Sequence, residues 1–331
     1  MTSAAGRGVP LVEVVRSGFA ESVHRGSAVL LAADGSVLGS VGDPWAAVFP
    51  RSCSKPAQAA GMVAAGLDLP DALLALAAAS HSGAAEHLAG VAEILAGAGL
   101  GPEHLRTPAD LPLGPAEREA WLRSGWAPEP RAMNCSGKHA AMLATCVARG
   151  WPVDSYRDRG HPLQEALRAE AERLAGEPVT ATGVDGCGAP VWAVSLVGLA
   201  RTYRACVLAE PGEPARRVVD AMRAFPEMVG GEGRDATRLM RAFPGLVAKD
   251  GADGVYAVVL PDGRAAAVKV DDGAERARTP VVMAALAALG VPAAAEAAAA
   301  GLADLADLAE PPVLGGGQRV GSVRARPGLF G

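Results

Sequence analysis

The chain has 331 residues, half of them hydrophobic and a fifth charged, which excludes a disulfide-stapled mini-domain and excludes disorder over most of the length. A formal charge of -5 speaks against a broadly basic face, so nucleic acid and anionic membrane are not expected partners and a small ligand is. Of the 31 basic residues only four are lysines, Lys55, Lys138, Lys249 and Lys269. In a composition so biased towards arginine, a retained lysine is a candidate for work that arginine cannot do, such as losing a proton or donating a lone pair to a metal.

In chain order, Leu11 to Val15, Ser27 to Ala32 and Val37 to Gly42 read as strands, the last two joined by the turn Ala33-Asp34-Gly35. After Pro50 the pattern becomes helical, with helices expected at Lys55 to Ala65, Asp71 to Ala79, His87 to Gly97, Gly137 to Arg149, Pro162 to Leu174, Pro190 to Ala200, Pro214 to Phe225 and Asp235 to Phe243. Strands return at Val255 to Leu260 and Arg264 to Val270 around Pro261-Asp262-Gly263. Strands at both ends of a helical stretch imply an α+β fold, one antiparallel sheet built from both chain ends with a helical subdomain between. The expected division is a single catalytic domain over 1–291, its sheet from about 11–50 and 245–291 and its helices from about 51–244, followed by an Ala/Gly-rich segment 292–331 in which Pro292 to Ala309 reads as a helix or a linker to a Gly/Pro-rich tail. The stretch Val281 to Ala300 is broken by Gly290, Pro292 and Glu296, whereas a span needs about 20 strongly apolar residues, so no membrane crossing is expected. An odd number of cysteines and no export pattern in MTSAAGRGVPLVEVV point to a reducing cytoplasm.

Four clusters carry chemistry. Ser52 and Lys55, three apart where strand gives way to helix, would share a helical face, and Pro56 marks the first turn. That S-x-x-K spacing belongs to serine acyl-transfer enzymes, with an N-cap serine beside a surface lysine as the plain alternative. In Asn134-Cys135-Ser136-Gly137-Lys138-His139, Gly137-Lys138 resembles a phosphate loop, but Ala132 and His139 stand where that loop needs glycine and Ser or Thr. Cys135 and Cys187, the latter in Asp185-Gly186-Cys187-Gly188, read either as metal ligands or as buried small hydrophobes. Lys249, just before the strand at Val255, occupies the place of the lysine-glycine box of the same enzyme class, whereas Lys269 reads as a surface lysine. His81 and His87, six apart, do not share a helical face, and spacing alone assigns nothing to Ser80.

Taken together, Arg51-Ser52-x-x-Lys55-Pro56-Ala57-Gln58, Ala79-Ser80-His81-Ser82, the Asn134 to His139 run, Asp185-Gly186-Cys187, and Pro226-Glu227-Met228-Val229 with Gly231-Glu232-Gly233-Arg234 resemble the Rhizobium-etli-type L-asparaginases, the asparaginase II family, in order from about Val12 to Gly273. The resemblance implies a fold similar to serine β-lactamases, penicillin-binding proteins and glutaminases, a homodimer, and hydrolysis of L-asparagine to L-aspartate and ammonia. It maps two Ser-Lys pairs onto Ser52 with Lys55 and Ser80 with Lys249, and a zinc ion onto Cys135, Lys138 and Cys187. Ser52 is expected as nucleophile with Lys55 as its base, helix-start N–H groups as oxyanion donors, and Arg51, His81, Asn134 and Asp185 as groups orienting substrate or metal water. Two other functions are weighed: a glutaminase or β-lactamase-like hydrolase, since one methylene discriminates by only about 1–3 kcal/mol, and a non-enzymatic zinc-binding protein.

Overall fold

The computed structural model describes residues 8–291 and 305–331. In chain order the elements are β1 (Val9–Arg16), β2 (Phe19–Leu31), β3 (Val37–Val41), β4 (Ala47–Val48), α1 (Lys55–Ala64), α2 (Asp71–Ala77), α3 (Ala85–Gly97), α4 (Pro115–Arg123), α5 (Ser136–Arg149) and α6 (Pro162–Ala175). They continue with β5 (Ala181–Val184), β6 (Pro190–Ser195), α7 (Leu196–Leu208), α8 (Pro214–Ala224), α9 (Pro226–Val229), α10 (Asp235–Ala242), β7 (Val247–Asp250), β8 (Val255–Val259), β9 (Ala265–Val270), α11 (Glu275–Ala288), α12 (Ala306–Ala309), β10 (Pro312–Gly315) and β11 (Gln318–Ala325).

The α+β arrangement is present: an antiparallel sheet of order β10-β11-β1-β2-β9-β8-β7, with β3 also on β2, takes strands from both chain ends, and the helices lie between them in sequence. Both expected turns close hairpins. Asp34 accepts from the Ser36 N–H, and Asp262 from the Arg264 N–H. β2 is long enough to serve twice, pairing β1 along its first half and β9 and β3 along its second. At the changeover stands Gly26, where any Cβ would run into the Lys269 carbonyl. Helices α7 and α11 cover the sheet, and their apolar faces meet the wholly buried run Val255–Val259.

Three elements differ from expectation. Pro190–Ser195 is a buried strand and only Leu196 onward is helix, because Val191-Trp192-Ala193-Val194 favours a pleated, covered site and the Ser195 hydroxyl caps α7 by accepting from the Gly198 N–H. Lys249 lies within a strand, β7, rather than before one. The third lies beyond 292: residues 292–304, part of the expected helix or linker, fall outside the described residues, but β10 and β11 join the main sheet, β11 pairing β1 from Val12↔Ala325 to Arg16↔Gly321. The sheet therefore draws on 9–41, 247–270 and 312–325. Among the described residues, no helix is long and apolar enough to cross a membrane.

Candidate active site

Three chain segments converge where α1 begins. After Pro50 the chain makes a single 3-10 turn over Arg51–Ser54, with Arg51 held at φ +51°, a conformation costly for a residue with a Cβ. Lys55 opens α1, and Pro56 sits in its first turn, where its missing N–H costs nothing. The second segment is the extended Ala79–Ser82 stretch after α2, whose backbone is pinned by Ser80 N–H to Val229 O (3.0 Å) and His81 N–H to Asn134 O (3.1 Å). The third is the start of α5, which presses so close to the end of α2 that a Cβ on Gly137 would lie 2.6 Å from the Leu76 carbonyl oxygen. Gly137 is thus a contact glycine.

Lys55 is only 1 % exposed, and its Nζ donates to Ser80 Oγ at 3.0 Å and to the carbonyl of Ala79. The pair expected from spacing, Ser52 with Lys55, is not the one formed: a buried amine needs acceptors, and carbonyls just past the C-terminal end of α2 are free to supply one. Ser52 remains half-buried at the turn, and its hydroxyl has no hydrogen-bond partner among the described residues. Burial pushes the Lys55 pKa down from the usual lysine value, the Cys135 sulfur opposes, and the nearby charges of Lys249 and Lys138 push it further down. The expected oxyanion donors are partly spent, since the Cys53 N–H goes to Pro50 O and the Lys55 N–H to Ser52 O.

Lys249 is fully buried, but its Nζ meets Asp250, donating to Oδ1 at 2.7 Å and to the backbone carbonyl at 2.8 Å, rather than Ser80. Arg51 Nε donates to Asp185 Oδ1 (2.7 Å) and its Nη1 pairs with Asp253, tying the 3-10 turn to the β5–β6 connection. His81 is completely buried, with its ring stacked on His87 at 5.2 Å. Ser136 Oγ donates to Arg131 O (2.8 Å), so at 2.9 Å it accepts from His81 Nε2–H, which leaves a lone pair on His81 Nδ1 with no partner among the described residues. Burial, with His87 and Lys55 alongside, holds His81 well below the ordinary histidine pKa, so the ring is neutral.

Cys135, Lys138 and Cys187 meet on the other side of Lys55. Lys138 Nζ donates to Cys187 Sγ (3.3 Å), and Cys135 Sγ lies 3.1 Å from Asn134 Oδ1. The two thiols share their protons unequally: the Cys135 hydrogen bond, against the cost of burial and helped by Lys138, drops Cys187 far below an ordinary thiol, while Cys135 is raised. Among the described residues no group of three or more His, Cys, Asp or Glu could hold a metal ion, and this cluster differs in drawing its third donor from a lysine. Its donor chemistry fits zinc: two soft sulfurs and an amine, leaving a fourth position open.

A buried lysine bonded to a serine hydroxyl, beside a second serine at a strained turn, is the equipment of an amidase-type hydrolase. The family model for L-asparaginase II matches residues 12–325, and the chain belongs to that family. Similar solved structures include a crystal structure of Mglu in its native form (18 % identity, TM-score 0.43, covering 81 % of this chain and 64 % of that one). Another is a beta-lactamase from Mycobacterium bovis (17 % identity, TM-score 0.43, covering 80 % and 94 %). The chain thus spans 64 % of the length of the Mglu chain. No curated protein matches the sequence.

Sequence reasoning missed Asp250, Asp253 and Ser136, each of which holds one of the expected residues, and Arg278, which holds Asp250 in turn. Asp250 had a signal, since it sits beside Lys249 in the box; the others are joined only by the fold.

Proposed function

We propose that this protein hydrolyses the side-chain amide of L-asparagine to L-aspartate and ammonia through an acyl-enzyme. The observation that carries the proposal is Lys55 Nζ at 3.0 Å from Ser80 Oγ, in surroundings that lower the lysine pKa, in a chain of the L-asparaginase II family. Ser52 Oγ attacks the amide carbon and its proton passes to the neutral Lys55 amine. Collapse of the tetrahedral adduct breaks the C–N bond, and the proton returns through Lys55 and Ser80 to the departing nitrogen, which leaves as ammonia. Water then attacks the ester, gives a proton to Lys55, and the serine recovers its own. Arg51, held in the left-handed region, sets the turn that carries Ser52, and buried His81, bonded to Ser136, braces the Ala79–Ser82 segment that presents Ser80. A second reading makes Ser80 the nucleophile, and the hydrogen bond it already makes to Lys55 favours it.

Cys135, Lys138 and Cys187 would hold a zinc ion, which would supply a Lewis-acid charge and fix the β5–β6 turn beside Arg51. The homodimer belongs to the same proposal. Ammonia release from L-asparagine and L-glutamine by the wild-type protein, Ser52→Ala and Ser80→Ala tests the reading. A loss of about a thousandfold in Ser52→Ala with a smaller loss in Ser80→Ala assigns the nucleophile, and the reverse order moves it to Ser80. No ammonia from either amide, with zinc supplied, ends the asparaginase reading.

A further inference from the structure

Behind Lys249 lies a buried charge cluster that the serine-lysine chemistry does not use. The carboxylate of Asp250 takes Lys249 Nζ on Oδ1 (2.7 Å), and on Oδ2 it takes Arg234 (2.7 Å) and Arg278 (3.4 Å). Arg278 is anchored in turn on the Gly251 carbonyl (2.7 Å) and faces Asp235 and Glu275. Neighbours on a strand point to opposite faces, so Lys249 reaches Asp250 only by folding back over the end of β7. Arg234 belongs to the Pro226–Arg234 stretch, a sequence motif that the catalytic steps leave without work. That stretch touches both arms of the site: Val229 O accepts from the Ser80 N–H (3.0 Å), Glu227 O accepts from His87 Nε2–H (2.9 Å), and Arg234 grips Asp250.

We propose that Asp250, gripped by Arg234 and Arg278, is a positioning residue that holds Lys249 Nζ as a fixed cation at the site, and that the Pro226–Arg234 strap sets Lys249 in register with Ser80. A buried ammonium without a counter-charge would give up its proton or swing towards water. With Asp250 present, two of the three N–H groups of Lys249 are committed, and the third has no partner among the described residues and is left for the reacting groups. Burial by itself would raise the Asp250 carboxyl, but Lys249, Arg234 and Arg278 together keep it ionised. The cluster is therefore a built device, since burying three charges and half-burying a fourth without need costs stability.

The proposal rests on the amidase reading above, and its test includes an arm that needs no turnover. In steady-state ammonia release, Arg234→Gln is expected to lower kcat by about ten- to a hundredfold with KM within about twofold, and Arg234→Lys to recover most of the loss. With only four lysines in the chain, side-chain nitrogen NMR of lysine-labelled protein reads Lys249 directly. Its exchange-protected ammonium signal is expected in the wild type and lost in Asp250→Asn; should Asp250→Asn fail to fold, Arg234→Gln is read in its place, with the signal weakened. A Lys249 signal unchanged in these variants, or a fall in melting temperature with kcat per folded molecule intact, would overturn the clamp. Absence of ammonia from the wild type would remove the asparaginase reading and leave the clamp to be judged on the NMR signal.

Discussion

At the scale of single residues, Lys55 is placed to work as an amine. Its pKa is lowered chiefly by burial, so the neutral form is populated at lower pH than for a free lysine. The sign for activity follows: the base is lost as pH falls through the lowered pKa, so kcat/KM should rise with pH along that limb and level off before the ordinary lysine value, as a pH-rate profile would record. Arginine cannot take a proton in this range, so Lys55→Arg should lose at least about a thousandfold in kcat/KM. Lys55→Met tests the other side of the argument. Exchanging a buried ionisable group for an apolar one of similar length should abolish turnover while leaving the melting temperature equal or higher, measured by calorimetry. The scarcity of lysine was informative here, because three of the four lysines are buried in one region, at 1 %, 1 % and 0 % exposure. The partners of those lysines were not legible: which acceptor a buried amine finds depends on which carbonyls other helices leave free, and Ala79 is 24 residues from Lys55.

At the scale of elements, the site depends on how tightly the start of α5 meets the end of α2. Gly137→Ala would set a Cβ 2.6 Å from the Leu76 carbonyl oxygen and 2.7 Å from Leu76 Cγ, and backbone does not yield cheaply. The variant should lose about 1–3 kcal/mol in denaturant unfolding, and because Cys135 and Lys138 flank the contact, the proposed zinc site should be weakened with it, as a metal titration beside the wild type would read. Hairpins and amphipathic helices were readable from turn residues and periodicity, as Asp34 and Asp262 illustrate. The helix expected across Pro190 to Ala200 was not, since a short apolar run is ambiguous in period and only the pairing with β4 and β5 makes it a strand. The short β7 escaped for a related reason: four residues that follow a turn show no alternation of their own.

At the scale of the whole molecule, the last strands close the sheet. β11 pairs β1 from Val12 to Arg16, and Arg324 and Arg326 both reach Glu13. Removing residues 305–331 would leave β1 with an unpaired row of N–H and C=O groups. The shortened chain should melt at lower temperature and aggregate on concentration, as light scattering would show, even though the serine-lysine site lies elsewhere. The surface has a further property that follows from the burial of Lys55, Lys138 and Lys249. Lys269 is half-buried and gives its Nζ to the Val270 carbonyl at 2.7 Å, so the outer face of this protein carries its positive charge on guanidinium groups and presents almost no lysine amine. Among the lysines of the folded molecule, reagents that acylate amines and lysine-directed proteases would meet only the half-buried Lys269 until the chain unfolds. Amine labelling is therefore a direct gauge of unfolding, because three new sites open only when the core does.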